Sequence, residues 1–308
     1  MEVVNERRDR FRGALLGALV GDALGAPFEG HSGPVPAARI HAVMSDGQEL
    51  RFTDDSAMTI AFAESLLECG DLDQDHLAAT FAAHYVREPW RGYGGGTASL
   101  LQAIARGEHW SDLAPAQFDG SGSFGNGAAM RVAPAALHVD GDHANVVDLA
   151  RRSAVVTHAH PSGIDGAIAQ AVGVAVALAS PATGGGRPLF AQLERALVDI
   201  TFADRIATIQ DHLDGSSPEV VARALGTSVA ADEAVPAALW AFVAHADSFH
   251  DAVVAAIELG GDTDTIASMA GALAGARLGA SAIPEPWVAR AEGAAHVVEL
   301  ADRLAVRA

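Results

Sequence analysis

Glycine recurs at every fourth position near the start of this chain, at Gly13, Gly17, Gly21 and Gly25. It does so again near the end, at Gly271, Gly275 and Gly279. On a helix this spacing places the residues along one narrow face. Glycine weakens a helix by about 1 kcal/mol relative to alanine, so a stripe of it points to a neighbouring helix whose backbone comes close. Ordinary small-residue packing in an alanine-rich protein produces the same pattern, and both readings lead to tightly pressed helices.

The rest of the chain is helical in period nearly throughout. Ile60, Phe62, Leu66 and Leu67 trail Thr53 in an amphipathic pattern that ends near Gly70. Asp73 is placed to cap a helix through His84 and Tyr85, which Pro89 terminates. Residues 126–138 and 163–179 read as further helices, the second rich in Ala and Val and buried all round. Ser217-Pro218-Glu219 is a helix start signal. Residues 248–259 form another helix ending at Gly260-Gly261, and 266–278 a last one. Only residues 154–157 read as a short strand. Loops are expected at 30–36, 91–96, 119–127, 180–188 and 213–217. None is long or polar enough to mark a domain linker, and 308 residues suffice for one large domain or two modest ones.

Two short acidic clusters stand far apart in this helical sequence. One is Thr53-Asp54-Asp55; the other is Asp262-Thr263-Asp264-Thr265. Each sits where a helix begins. Thr and Asp are preferred caps, and acids in a first turn offset the helix dipole. Capping accounts for one Thr and one Asp per helix but not for Asp54 beside Asp55, nor for Asp262 and Asp264 together. Packed against each other, the clusters would bring four carboxylates into one small volume, which is unstable without cations between them. Oxygen donors of this kind suit Mg²⁺ or Mn²⁺ rather than zinc. Capping and metal binding stand as alternatives on these residues alone.

The formal net charge is −19, which argues against nucleic acid and anionic membranes as general partners. A phosphate-bearing ligand would need local relief from cations, helix N-termini or backbone N–H groups. Cys69 is the one cysteine, so no internal disulfide forms, and a cytoplasmic location is expected. Arg7, Arg8, Arg10 and Arg12 before the apolar run 13–21 imitate a signal peptide. Asp22 interrupts that run, Glu2, Glu6 and Asp9 dilute the basic flank, and the run is too short to span a bilayer.

Residues 120–127, Gly-Ser-Gly-Ser-Phe-Gly-Asn-Gly, form a glycine-rich loop opening a helix. Such a loop either cradles an anion with backbone N–H groups or is a tight turn. The sequence before it is poor strand and the loop carries no P-loop lysine, so a dinucleotide fold is not expected. Tyr93 among Gly92, Gly94, Gly95 and Gly96 makes a second glycine loop, either a ligand cover or a surface turn. His158-x-His160 imitates the start of a zinc metallohydrolase site, but that fold needs alternating strands the chain lacks. His160 reads as a loop residue before Pro161, and His158 as a neutral donor beside a ligand. Glu29 lies just past the first glycine stripe, where it is either solvated or leaning over the acidic clusters.

Five stretches, in order from residue 13 to about 279, resemble the ADP-ribosylglycohydrolase family, of the dinitrogenase-reductase-activating glycohydrolase and ADP-ribosyl-acceptor hydrolase type: GALLGALVGDALGAPFEG, FTDDSAMT, GSFGNGAAMRVAP, VVTHAHPSG and ELGGDTDTIASMAGALAGARLG. The resemblance implies an all-α, single-domain, compact orthogonal helical bundle with a central cleft holding two Mg²⁺ or Mn²⁺ ions. It implies Thr53, Asp54, Asp55, Asp262, Asp264 and Thr265 as metal ligands, with Asp55 and Asp264 expected to bridge the ions. Glu29 matches a gating or assisting glutamate, and Glu29, Asp55 and Asp264 are the expected catalytic residues. Ser123, Phe124, Gly125, Asn126 and Gly127 match a loop holding the diphosphate and distal ribose, His158 a histidine near the phosphates, and Gly94, Gly95 and Gly96 a second covering loop. The implied reaction is hydrolysis of the glycosidic bond between ADP-ribose and an acceptor. The implied partners are an ADP-ribosylated protein or a small ADP-ribose conjugate, with ADP-ribose as product. A catalytically inactive binder of the same fold and a His-x-His zinc hydrolase are the alternatives.

Overall fold

A computed structural model describes residues 2–139, 143–180, 187–197, 200–213 and 215–307. The glycine stripes explain its centre. The helix Glu2–Gly25 lies antiparallel against the helix Thr263–Leu278, with Gly13 on Gly275, Gly17 on Gly271, Gly21 on Ala267 and Gly25 on Thr263. A Cβ on Gly17 would collide with the Gly271 carbonyl, and one on Gly271 with the Gly17 carbonyl. Gly279 continues the stripe, since a Cβ on Gly13 would lie 2.6 Å from its carbonyl carbon. It is the C-cap of the second helix, at φ +84°, and a Cβ there would meet the Asp9 carboxylate.

Around this pair the chain packs helix on helix, and among the described residues there is no strand, only isolated bridges. Thr263–Leu278 is flanked by Phe249–Glu258, Ala231–Ala244 and Pro161–Ala179, while Glu2–Gly25 is flanked by Asp54–Cys69 and Ala294–Arg307. Pro161–Ala179 is long and apolar enough to cross a bilayer, yet nearly every residue from Ser162 to Ala177 is buried in the protein, as its all-round Ala/Val composition predicts. The caps also follow the sequence. Asp73 accepts from the N–H groups of Asp75 and His76, and Ser248 from that of Asp251.

Three expectations are corrected. Residues 154–157 are not a strand: the helix His143–Ala154 closes in a turn, with the Thr157 and His158 N–H groups donating to the Ala154 carbonyl at 3.0 and 2.8 Å. The β-branched Val155 and Val156 gave a strand signal, but no neighbouring strand pairs with them. Residues 126–138 are two short helices, Gly127–Met130 and Ala133–His138, because Pro134 lacks an N–H and disfavours continuation through the residues before it. The loop expected at 91–96 ends earlier, since Gly94 caps the helix Gly95–Ala105. Residues 181–186 of the loop expected at 180–188, and residue 214 of that at 213–217, lie outside the described residues.

Candidate active site

The antiparallel docking of the two glycine-striped helices sets Asp22 and Glu29 beside the N-terminus of Thr263–Leu278. Thr53 is the N-cap of Asp54–Cys69, its hydroxyl 3.3 Å from the Asp55 N–H. Asp22 completes that helix start from across the chain. Its carboxylate accepts from the Thr53 N–H at 3.0 Å, the Ser56 N–H at 3.0 Å and the Ser56 hydroxyl at 2.6 Å. Asp22 is fully buried. Burial pushes its carboxyl up to about 6, against the opposing hydrogen bonds from Ser56 and Thr53.

The second cluster is held by a turn that only glycine permits. Gly260 and Gly261 have φ +75° and +78°, and a Cβ would strike the Gly33 carbonyl from the first and the Thr227 carbonyl from the second. Gly261 also pairs with the Glu29 loop: its carbonyl accepts from the Gly30 N–H at 2.8 Å, and its N–H donates to the His31 carbonyl at 3.0 Å. The Asp262 N–H donates to the Thr227 carbonyl at 2.8 Å.

The clusters meet in a cleft of about 280 Å³. The Thr53 and Thr265 hydroxyls both donate to Asp55 Oδ2, at 3.2 and 3.3 Å, so the two stretches touch across 210 residues. One carboxylate oxygen from each of Glu29, Asp262 and Asp264 lies within 4.8 Å of the others. Asn126 Nδ2 donates to Asp262 Oδ2, tying the glycine-rich loop to the acids. Burial, then the charge of Asp22, pushes the Asp54 carboxyl up to about 8. Burial, then Asp262, pushes Asp264 up to about 9. Asp55 is raised well above the usual range by burial and by Asp22 and Asp264, and Glu29 is raised by partial burial and Asp262. Asp55 Oδ1 and Asp264 Oδ1 are buried with no hydrogen-bond partner among the described residues. Orphaned carboxylate oxygens in an oxygen-only donor set fit a hard divalent cation.

All the residues expected as metal ligands, catalytic groups or substrate contacts line this cleft except Thr53, whose hydroxyl reaches it through Asp55. Gly94, Gly95, Gly96, Ser123, Phe124, Gly125, Asn126, Gly127 and His158 form its other walls. The two histidines separate. His160 is the N-cap of Pro161–Ala179, its Nδ1 accepting from the Ser162 N–H at 3.1 Å. His158 is buried, with Nδ1 2.7 Å from the Thr157 hydroxyl, so neither ring joins the acidic group.

Sequence reasoning missed three features. The loop 226–230 locks the site: the Val229 carbonyl accepts from Asn126 N–H at 2.9 Å and the Ala231 N–H donates to Phe124 O at 3.0 Å, while Thr227 holds Asp262. Phe118, at φ +51°, pairs with Phe124 at the cleft mouth, ring centres 5.3 Å apart and both rings exposed. Arg91 pins the second glycine loop, with its guanidinium paired to Glu88 and Glu292 and stacked 3.8 Å from the Phe52 ring centre. The Arg91 carbonyl accepts the Asp54 N–H at 2.7 Å. The lone Gly226, which ends the helix Pro218–Leu225 at φ +77°, is the local signal of the first feature, and the other two are pairings between distant segments.

Fold and site together define an all-helical protein whose central cleft joins a carboxylate cluster to a glycine-rich anion cradle. A sequence model of the ADP-ribosylglycohydrolase family matches residues 4–308. The chain is 34% identical to the human ADP-ribosylhydrolase ARH3, over 96% of this chain and 92% of that protein. It is 31% identical to the ADP-ribosyl-[dinitrogen reductase] glycohydrolase of Rhodospirillum rubrum, over 92% and 90% of the two chains. A solved structure described as an ADP-ribosylglycohydrolase-related protein complex superposes with a TM-score of 0.76 at 29% identity, covering 98% of this chain and 99% of that one. The chain belongs to the ADP-ribosylglycohydrolase family, and its chemistry is the hydrolysis of bonds to ADP-ribose.

Proposed function

We propose that residues 1–308 act as one domain that cleaves the glycosidic bond between ADP-ribose and an acceptor, a modified protein side chain or a small conjugate. Two Mg²⁺ or Mn²⁺ ions would be held by Thr53, Asp54, Asp55, Asp262, Asp264 and Thr265. The observation that carries this reading is the pair of buried, unpartnered oxygens Asp55 Oδ1 and Asp264 Oδ1 on two side chains, one from each cluster, that line the same cleft. Carboxylates so close cannot all be ionised unless cations neutralise them. When bound, such ions orient ribose hydroxyls and acidify a water at neutral pH.

The chain's own groups do the rest. Glu29 enters from an exposed loop beside Asp262 and Asp264, and its raised proton affinity suits acceptance of a proton from the attacking water. That water adds to the anomeric carbon of the distal ribose as the bond to the acceptor breaks, through a transition state with oxocarbenium character, and the proton taken by Glu29 passes to the departing acceptor. Apart from the Gly125 and Asn126 N–H groups, which the Ser123 hydroxyl and the Val229 carbonyl already accept, the loop 123–127 and the first turn of Gly95–Ala105 present backbone N–H groups to the diphosphate. His158 donates from the cleft wall. The exposed Phe118 and Phe124 rings offer a stacking face for the adenine at the mouth, where the ligand outgrows a cleft at the small end of ligand-pocket sizes.

The test is turnover of arginine-linked, serine-linked and O-acetyl ADP-ribose substrates with Mg²⁺, after chelation, and after restoring the metal. At least one substrate should be cleaved in a chelator-sensitive way. Asp55→Ala and Asp264→Ala should each lose about a thousandfold in kcat with the helical fold retained. Tight ADP-ribose binding with no turnover on any substrate in the metal-loaded protein would instead make the chain a binder.

A further inference from the structure

Behind the cleft wall runs a buried polar chain that the sequence did not suggest. Arg131 Nη2 donates to the Thr157 hydroxyl at 2.7 Å and to the Ser153 carbonyl at 3.2 Å. The Thr157 hydroxyl in turn lies 2.7 Å from His158 Nδ1. Arg131, Thr157 and His158 are 1%, 1% and 3% exposed. The guanidinium is held by the Phe81 ring, 4.4 Å from its centre, and by Met58 Sδ at 3.9 Å.

The donors and acceptors along this chain fix the direction of each bond. Arginine only donates, so the hydrogen in the first bond belongs to Arg131. The Thr157 hydroxyl has one hydrogen, and His158 Nδ1 is the acceptor it meets. Nδ1 therefore accepts, and a neutral ring then carries its own hydrogen on Nε2. The opposite tautomer would leave a buried hydroxyl hydrogen unpaired, at a cost. The Nε2 edge faces the cleft beneath the glycine-rich loop: a Cβ on Gly127 would lie 3.0 Å from Nε2, and one on Gly125 3.6 Å. Among the described residues Nε2 has no hydrogen-bond partner.

We infer that Arg131 and Thr157 are positioning residues that fix His158 as the neutral Nε2–H tautomer, presenting one hydrogen-bond donor to an anionic oxygen of the bound ligand. The ligand's identity as ADP-ribose rests on the function proposed above; the tautomer does not. Burial first, and the Arg131 charge second, push the imidazole down to about 3, so the ring donates without becoming a cation. Arg131 thus polarises the donor through a hydroxyl while its own charge stays out of the cleft.

The test is nitrogen NMR of the full chain labelled at histidine, with the His158 signals assigned by their loss in His158→Gln. The expected wild-type ring has a protonated Nε2 and a bare Nδ1 at neutral pH. Thr157→Val should mix the tautomers and weaken ADP-ribose binding about tenfold, and Thr157→Ser should restore both. A wild-type ring protonated at Nδ1 overturns the inference, as does Thr157→Val with unchanged tautomer and unchanged affinity. Should Thr157→Val fail to fold, the wild-type spectrum alone decides. If the ring is the Nε2–H form but ADP-ribose does not bind, the substrate reading fails and the tautomer stands.

Discussion

At the scale of single residues, burial pushes four of the cleft carboxyls, Glu29, Asp54, Asp55 and Asp264, in the same direction, upward. Glu29 differs from the others because it comes from an exposed loop and is the least enclosed. Glu29→Ala is expected to lower kcat by about a hundredfold or more while leaving ADP-ribose affinity within a few-fold, as titration calorimetry beside turnover would show. Equal loss of both would make Glu29 a ligand contact instead. The buried acids carry a pH signature. Asp54 and Asp264, pushed up to about 8 and about 9, hold protons in the folded chain that the unfolded chain releases near the ordinary carboxylate value. The folded state binds more protons across that window, so metal-free stability falls as pH rises from about 4 toward 9. Cations displace those protons, so the gain in melting temperature on adding Mg²⁺ should be larger at about pH 8.5 than at about pH 6. An equal gain at both would mean that the ions do not sit on these carboxylates.

Among the helices, the decisive contact is between Glu2–Gly25 and Thr263–Leu278. Gly17→Ala or Gly271→Ala drives a methyl into the facing carbonyl and is expected to cost about 3 kcal/mol in urea unfolding. Gly95→Ala, a helix-start glycine with open space at its Cβ and no positive φ, should leave stability unchanged or slightly raised. If Gly17→Ala proves as mild as Gly95→Ala, the close approach is not what holds the helices. The glycine period, the caps at Thr53 and Asp73 and the helix starts at Ser217 and Ser248 were legible in the sequence because they are local rules. The acidic clusters were legible because their residue types exceed what capping needs. The strand reading at 154–157 failed because β-branched residues signal a strand only when a partner strand exists. Asp22, Arg91, Arg131 and the 226–230 loop stayed hidden, since each acts through partners far along the chain.

For the whole molecule, the site forms only when the two ends of the chain come together. Thr53–Asp55 and Asp262–Thr265 face each other because the glycine faces dock, and Asn126 and the Glu29 loop then close the cleft around them. A ligand that binds only this assembled state stabilises the entire fold. The −19 charge makes cations the natural complement of that interior. The most direct measurement is anomalous diffraction from crystals of the chain soaked in Mn²⁺. The account predicts two manganese peaks between Asp54-Asp55 and Asp262-Asp264. Manganese absent from that cleft, or bound instead at His158 and His160, would contradict it.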